Sequence, residues 1–569
     1  MTDNEKTVRT PNKTAKTDMS EETTKAPNSE NVRVLAMEKM TDNKKTTKVP
    51  NSIAKATLIV MIALILSKVT GQVREMLIPG RIGFGWLSDA YILGFMVPDL
   101  IYQLLVGGSI QAAITPTLSA AVASKKEERK VWKSVSVFIN ITSIIMLVTV
   151  MVGELLIPYV LPLFSGDKSV ETINLAISVS RVLFPQVFFM MLAALSIGIL
   201  NAYKKFTAAS LGPVVYNLCV VISMIVFGNK TPEGIVKVAI GVMVSACIYF
   251  IMQFYFSRRE FSFYKFTIDY RDKGFQKLVK LAVPTLISAS IVQINLIILS
   301  GFTNFYSDGS LTSLRFAITT WQLPYGVFAV AIGSVMLPTL SGYFAQKNEN
   351  ACSKVLTKSL RSALFLTIPS AILFSMLNIE VIRGIFQWGS RNLSSESVAL
   401  TSQMLSWYCI AMVCHTIVFI MNMAFYAIGK TKIPLINGII TLGTNTLLCL
   451  LLTRFTAFGV ISMPIAYSIS SIISVIVLSI LFKRNSARLA PRKIPQFLIK
   501  SMICAVGMFI VLFLTEKIPL DSANKIIQLI LLATKAVIGF GVYFGVGLLI
   551  QMREPVDNLN KIKAFLKIR

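Results

Sequence analysis

Ser134 to Leu156 reads SVSVFINITSIIMLVTVMVGELL, a stretch in which Glu154 is the only charged side chain. A helix rises about 1.5 Å per residue, so this segment covers about 35 Å, enough for the roughly 30 Å hydrocarbon core of a bilayer. Its apolar residues come in runs, without the strict alternation of a barrel strand. Stretches of the same kind recur on either side, near 53-78, 85-107, 173-200, 206-228, 234-256, 277-303, 314-336, 356-378, 400-428, 432-453, 458-482, 499-515 and 526-550. They predict an all-α polytopic membrane protein of about fourteen transmembrane helices. Composition agrees, with 54% hydrophobic residues, 15% charged residues and a mean hydropathy of +0.66, outside the range of soluble globular chains.

The net charge of +28 does not point to nucleic acid, because it is spread over short loops instead of gathered in a soluble domain or arm. Lys125-Lys126, Lys204-Lys205, Arg258-Arg259 to Lys280, Lys347 to Arg361, Lys430 with Lys432, Lys483 to Arg492 and the tail after Met552 fall on every second connection. The positive-inside rule then places both termini in the cytoplasm of a multi-pass protein of the bacterial cytoplasmic membrane. Residues 1-51, rich in Thr, Lys, Asn, Asp and Glu, predict a disordered cytoplasmic tail, and 552-569 a basic one. The first tail repeats itself, with Met1-Thr2-Asp3-Asn4 returning as Met40-Thr41-Asp42-Asn43. The apolar run beyond it follows some fifty polar residues and is no signal peptide. Six of the seven cysteines lie in apolar runs and imply no disulfide framework; Cys352, in a polar stretch, reads as structurally neutral.

An internal duplication runs through the chain at an offset of 222 to 228 residues. Pro116-Thr117-Leu118-Ser119 recurs as Pro338-Thr339-Leu340-Ser341, and Ala202-Tyr203-Lys204-Lys205 with Asn217 is mirrored by Ala427 to Lys430 with Asn445. The offset covers six spans, an even number, so the halves keep one orientation. This predicts two six-helix bundles, 52-262 and 263-484, related by a pseudo-two-fold axis along the membrane normal, with two extra helices in 485-551.

Catalytic chemistry finds little support. His415 is the one histidine, and no cysteine pair stands at metal-ligand spacing. No phosphate-binding glycine loop is present, so no cofactor is expected and any driving energy points to the membrane potential or a monovalent cation. Gln293, Asn295, Asn437, Thr441 and Asn445 offer oxygen ligands to a cation, but no carboxylate joins them, and hydrogen bonds between helices are the plainer reading. Ionisable groups inside a span cost roughly 2.5 to 3.5 kcal/mol each on insertion scales, so they mark cavities or partners. Lys68, Gln72 and Glu75 share one helical face bordered by Arg74, and Asp89 and Asp99 follow in the second span. Lys68 and Arg74 suit a phosphate or pyrophosphate group, with Asp89 orienting them. The alternative is that both cations snorkel to the interface or pair with Asp89 and Glu75. Lys535 lies within the last span with no evident role.

Ser67-Lys68-Val69-Thr70-Gly71-Gln72-Val73-Arg74-Glu75, Ser88-Asp89-Ala90-Tyr91, Pro98-Asp99-Leu100, Gln322-Leu323-Pro324-Tyr325-Gly326-Val327-Phe328 and Ile385-Phe386-Gln387-Trp388-Gly389 together resemble the MurJ/MviN family of lipid II flippases, within the multidrug/oligosaccharidyl-lipid/polysaccharide exporter superfamily. The likeness covers nearly everything after residue 52. It implies export of undecaprenyl-pyrophosphate-linked peptidoglycan precursor by alternating access. Lipid II is then the partner molecule, the bilayer the medium, and cell-wall synthesis proteins the candidate protein partners. The resemblance puts Arg74 and Asp89 at a functional arginine and aspartate, and Lys68 at an arginine position. It places a further arginine where this chain has Thr319, with Arg315 one turn earlier, and basic residues where it has Tyr102 and Gln103. The other readings are an exporter of a different polyprenyl-linked saccharide or of small amphipathic molecules, and a membrane scaffold or lipid-modifying enzyme.

Overall fold

The computed structural model describes residues 51–106, 109–124, 128–388, 393–489, 491, 494–516 and 524–556. Both predicted tails lie outside these residues, apart from 51 and 552–556. The chain divides into two units, Met1–Leu58 and Ile59–Arg569, and the second contains the packed helices.

Helices account for nearly all of it: α1 Asn51–Leu77, α2 Trp86–Leu105, α3 Ser109–Ser124, α4 Glu128–Val160, α5 Val170–Ala202, α6 Phe206–Phe227, α7 Pro232–Ser257, α8 Lys273–Thr303, α9 Ser310–Tyr325, α10 Ala331–Ala345, α11 Glu349–Met376, α12 Asn378–Phe386, α13 Ser395–Ala427, α14 Lys432–Phe455, α15 Ser462–Ser486, α16 Ile494–Glu516 and α17 Lys525–Leu549. Starts are fixed by side-chain caps: Ser169 accepts from the Thr172 amide, Asp272 from Phe275, Asn348 from Ala351 and Ser394 from Ser397. Prolines explain the irregular stretches. Pro79 lies in a wide π turn, Ile78–Ile82, that ends α1, and Pro324 precedes another, Gly326–Val330, between α9 and α10. A proline lacks the amide hydrogen and crowds the preceding turn, so the ladder around it widens.

Eleven helices or helix pairs among the described residues are long and apolar enough to cross a membrane. The remaining three expected spans fall on α1, α2 and α8, which hold Lys68, Arg74 and Glu75, then Asp89 and Asp99, then Lys277 and Lys280. The eighth expected span is the broken pair α9–α10, and α3 and the short α12 are helices the sequence did not announce.

In the first half α5 is the central helix, packed on α2, α3, α4 and α7, while α6 packs on α7. Its approach to α2 is close: a Cβ on Gly94 would stand 2.6 Å from the Val179 side chain, and the Ser180 hydroxyl donates to the Gly94 carbonyl at 2.6 Å. In the second half α13 takes the central place, against α9, α11 and α15. Helix α8 touches α2, α3 and α4 as well as α14, and α16 and α17 pair with each other and lean on α11 and α12. Cys352 belongs to the buried start of α11, and all seven cysteines are free thiols.

Candidate functional site

Glu75 stands in the last turn of α1, just before the Pro79 turn, and is 4% exposed. Three hydrogen bonds hold its carboxylate. Arg315 of α9 donates from Nε to Oε2 at 3.2 Å and from Nη2 to Oε1 at 2.9 Å, and Arg74 donates from Nη2 to Oε1 at 2.8 Å. A carboxylate stripped of water is costly unless its oxygens are bonded this fully. The planar guanidinium of Arg315 supplies the two-pronged fit that an ammonium cannot. The pairing joins the first half of the chain to the second.

These groups border two recesses that share Ile92, Phe95, Asp99 and Arg315. The larger, about 200 Å³, adds Gln293 of α8 with Thr319 and Gln322 of α9. The smaller, about 50 Å³, adds Arg74, Glu75, Tyr91 and Tyr216. Arg74, Glu75, Asp99 and Arg315 are therefore brought together as expected of a polar interior site. Two cations meet two carboxylates, so the site is formally neutral when empty. Thr319 turns out to be a neighbour of the cation that matters: its hydroxyl donates to the Arg315 carbonyl at 3.0 Å, and both side chains line the larger recess.

Lys68 and Gln72 do not join them. Lys68 is exposed on α1, and neither residue lines either of these two recesses. They share the Glu75 face, as predicted, but that face turns toward the recesses only at its Glu75 end.

Asp89 corrects the expectation that it orients Lys68 and Arg74. It is 1% exposed and serves as a cap for α9: Gly309 and Thr312 donate their amides at 2.8 and 3.0 Å, and the Thr312 hydroxyl donates at 2.6 Å. Lys168, from the connection before α5, completes the shell with Nζ 2.8 Å from Asp89 Oδ2, and donates also to the Tyr306 and Ser307 carbonyls. A carboxylate at a helix N-terminus meets unpaired amides and the positive end of the dipole. Gly309 has φ +87°, a conformation that side chains with a Cβ resist, which lets its amide point at Asp89. Nearby, Asn304 donates to the Phe164 carbonyl at 2.7 Å and its own carbonyl accepts from the Asp167 amide. This latch ties the connection 161–169 to the connection 304–309. Sequence reasoning missed Lys168, Gly309 and Thr312. Asp308-Gly309-Ser310 before an apolar helix was the available signal for a capped start.

The remaining singled-out groups are packed internally. His415 stacks on Tyr467 at 5.2 Å and lies 5.6 Å from the Trp321 ring. Lys535 of α17, 2% exposed, approaches Glu380 of α12 at 3.5 Å and thereby docks the extra helices on the second half. Asn445 donates to Asn295 and Asn437 to Ser474, both at 2.7 Å, so these three asparagines bond between helices, while Thr441 donates to a carbonyl of its own helix and Gln293 lines the larger recess.

A family model described as lipid II flippase MurJ matches residues 80–531. Curated relatives include a probable lipid II flippase MurJ of Treponema pallidum, 24% identical over 76% of this chain and 82% of its own length. Another of Rickettsia prowazekii is 23% identical over 87% of this chain and 97% of its own length. A solved structure titled as lipid II flippase MurJ in the inward closed conformation superposes with a TM-score of 0.72 at 27% identity, covering 87% of this chain and 98% of its own. An inward-facing multidrug transporter of the MATE family shares the fold with a TM-score of 0.63 at 13% identity, over 76% of this chain and 98% of its own.

Proposed function

The chain belongs to the MurJ family of lipid II flippases, and on that premise we propose that it carries lipid II from the inner to the outer leaflet of the bacterial cytoplasmic membrane by alternating access. The observation that carries this reading is the pairing of the buried Glu75 carboxylate with Arg315, which joins the first and second parts of the chain beside a polar recess. Pyrophosphate oxygens offer Arg74 and Arg315 the same charge-assisted bonds that Glu75 supplies, so an arriving headgroup competes with Glu75 for both guanidinium groups. Loading then loosens a bond between the halves, and residues 52-262 rock against 263-484. A ligand shifts such an equilibrium only through its different affinity for the two states, and displacement of Glu75 provides that difference.

With both termini in the cytoplasm, the Asp89–Lys168 latch lies on the outer side and closes the empty carrier there. Residues 485–551 supply the groove for the lipid tail. The chain performs transport, not catalysis, and the membrane potential or a monovalent cation powers it. Cell-wall synthesis proteins are its natural neighbours.

The test is replacement of the flippase in a bacterium depleted of its own, scored by growth and by the exposure of lipid II to an externally added cleaving toxin. Growth with lipid II accessible from outside is expected. Normal membrane insertion with neither result would reject lipid II as the cargo.

A further inference from the structure

The connection between α7 and α8 is the covalent link between the two halves, and it is stitched to α4. The Ser136 hydroxyl accepts from the Lys265 amide at 3.1 Å, Asn140 donates to the Thr267 carbonyl at 2.9 Å, and the Tyr264 hydroxyl donates to Asn140 at 2.5 Å. The Ser134 hydroxyl then donates to Asp272, the cap of α8, at 2.5 Å. Held through its carbonyls and amides, the extended strap turns alternate side chains outward. Phe266, Ile268 and Tyr270 are 72%, 55% and 63% exposed.

Helix α4 measures the depth of this strap. Its exposed apolar residues begin at Ile144 and continue through Val148, Met151, Leu155 and Tyr159 to Leu163 in the following turn. At helical rise these residues span about 30 Å, the thickness of a hydrocarbon core. Asn140 is one turn outside that band, so the strap bonded to it sits at headgroup level. It sits at the cation-rich end of the bundle. Arg258, Arg259, Lys265, Arg271, Lys273, Lys277 and Lys280 are all exposed on or beside it. Glu260 is paired with Lys205, Asp272 is bonded by Ser134 and Asp269 accepts from the Arg271 amide at 3.1 Å, so three carboxylates face seven cations and the strap keeps a net positive charge. The Arg271 guanidinium lies 5.5 Å from the Tyr270 ring centroid, so the aromatic and cationic surfaces are continuous.

We propose that residues 264–273 form an interfacial anchor that takes anionic phospholipid from the leaflet at the cation-rich face. Phe266, Ile268 and Tyr270 enter the boundary between headgroups and acyl chains, and the flanking Lys265, Arg271 and Lys273 hold the lipid phosphates. Aromatic rings favour that boundary, and basic side chains there attract anionic lipid. Because this strap joins the halves, the anchor fixes the pivot of the molecule to one leaflet.

The full chain carrying Tyr270→Trp, in bilayers of phosphatidylcholine and phosphatidylglycerol in equal amounts brominated on one lipid or the other, tests this. Quenching in excess of the unsubstituted protein should be about twofold stronger with brominated phosphatidylglycerol, and added salt should reduce the difference. Adding Lys265→Gln and Arg271→Gln should abolish the preference with the thermal melting curve unchanged. Equal quenching by the two lipids would overturn the anionic selectivity, and absence of excess quenching would overturn the anchor itself. Neither readout depends on what the protein carries.

Discussion

At the residue scale, Glu75 decides how the two arginines behave. Arg315 makes a two-pronged contact, so Arg315→Lys keeps the charge but loses one bond and its geometry. Binding of a pyrophosphate lipid should weaken about tenfold, and Arg315→Ala should cost about 10- to 100-fold, as measured by native mass spectrometry of the lipid-bound protein. Arg74→Ala should abolish growth support at unchanged membrane abundance; a fully active Arg74→Ala protein would remove the cavity from consideration. Thr319→Ala, by contrast, should be nearly silent, since its hydroxyl bonds only to carbonyls of its own helix. The charges themselves were legible, because Arg74, Glu75, Asp99 and Asp89 have no reason to sit inside spans unless something receives them. Their partners were not. Arg315 is 240 positions from Glu75 and Lys168 is 79 from Asp89, and such pairings are set by how helices cross, which a pattern within one helix does not encode.

At the element scale, length and apolar content carry most of the information, and the helices other than α3 and α12 lie where the apolar runs predict. The breaks were less visible. A proline inside a span either kinks the helix or is absorbed, and only the neighbouring helices decide which. Gly94 illustrates a position whose importance is purely one of contact. Gly94→Val would drive its side chain into Val179 and the Ala176 carbonyl, and should destabilise the protein by about 1 to 3 kcal/mol, seen as a lower melting temperature. The start of α8 gives a pH signature. Burial pushes the Asp272 carboxyl up, but the Ser134 hydroxyl, the Phe275 and Gly274 amides and nearby Lys133 outweigh it and hold the group below its ordinary range. A depressed carboxyl contributes stability above its unfolded value and loses it as pH falls through the folded one. Asp272→Asn should therefore melt earlier near neutrality and show less additional loss on acidification, a difference read by thermal scans across pH.

At the scale of the whole molecule, the latch around Asp89 and the pair around Glu75 are two separate ties between the halves. Removing one partner of a buried ion pair costs about 3 to 5 kcal/mol, so Lys168→Met should release the Asp89 tie selectively. Hydrogen exchange should rise in 161–169 and 304–312 and stay unchanged in α15. Uniformly faster exchange would mean that Lys168 supports the fold at large instead of this closure. The repeated Pro-Thr-Leu-Ser motif speaks for a duplication in the sequence, whereas the way α8 reaches across to α2, α3 and α4 has no counterpart in the repeat.

The balance of Arg74 and Arg315 against Glu75 and Asp99 also has an electrical meaning. An unloaded carrier whose interior sums to zero returns without dragging charge through the field across the membrane. On the proposed cycle a loaded carrier would move the negative charges of its cargo outward, down a potential that is negative inside, and each charge would gain about 2.3 kcal/mol per 100 mV. Such a carrier would act as a rectifier, with current tied to the lipid, and a lipid-dependent outward negative current in voltage-clamped proteoliposomes is the expected outcome that tests it.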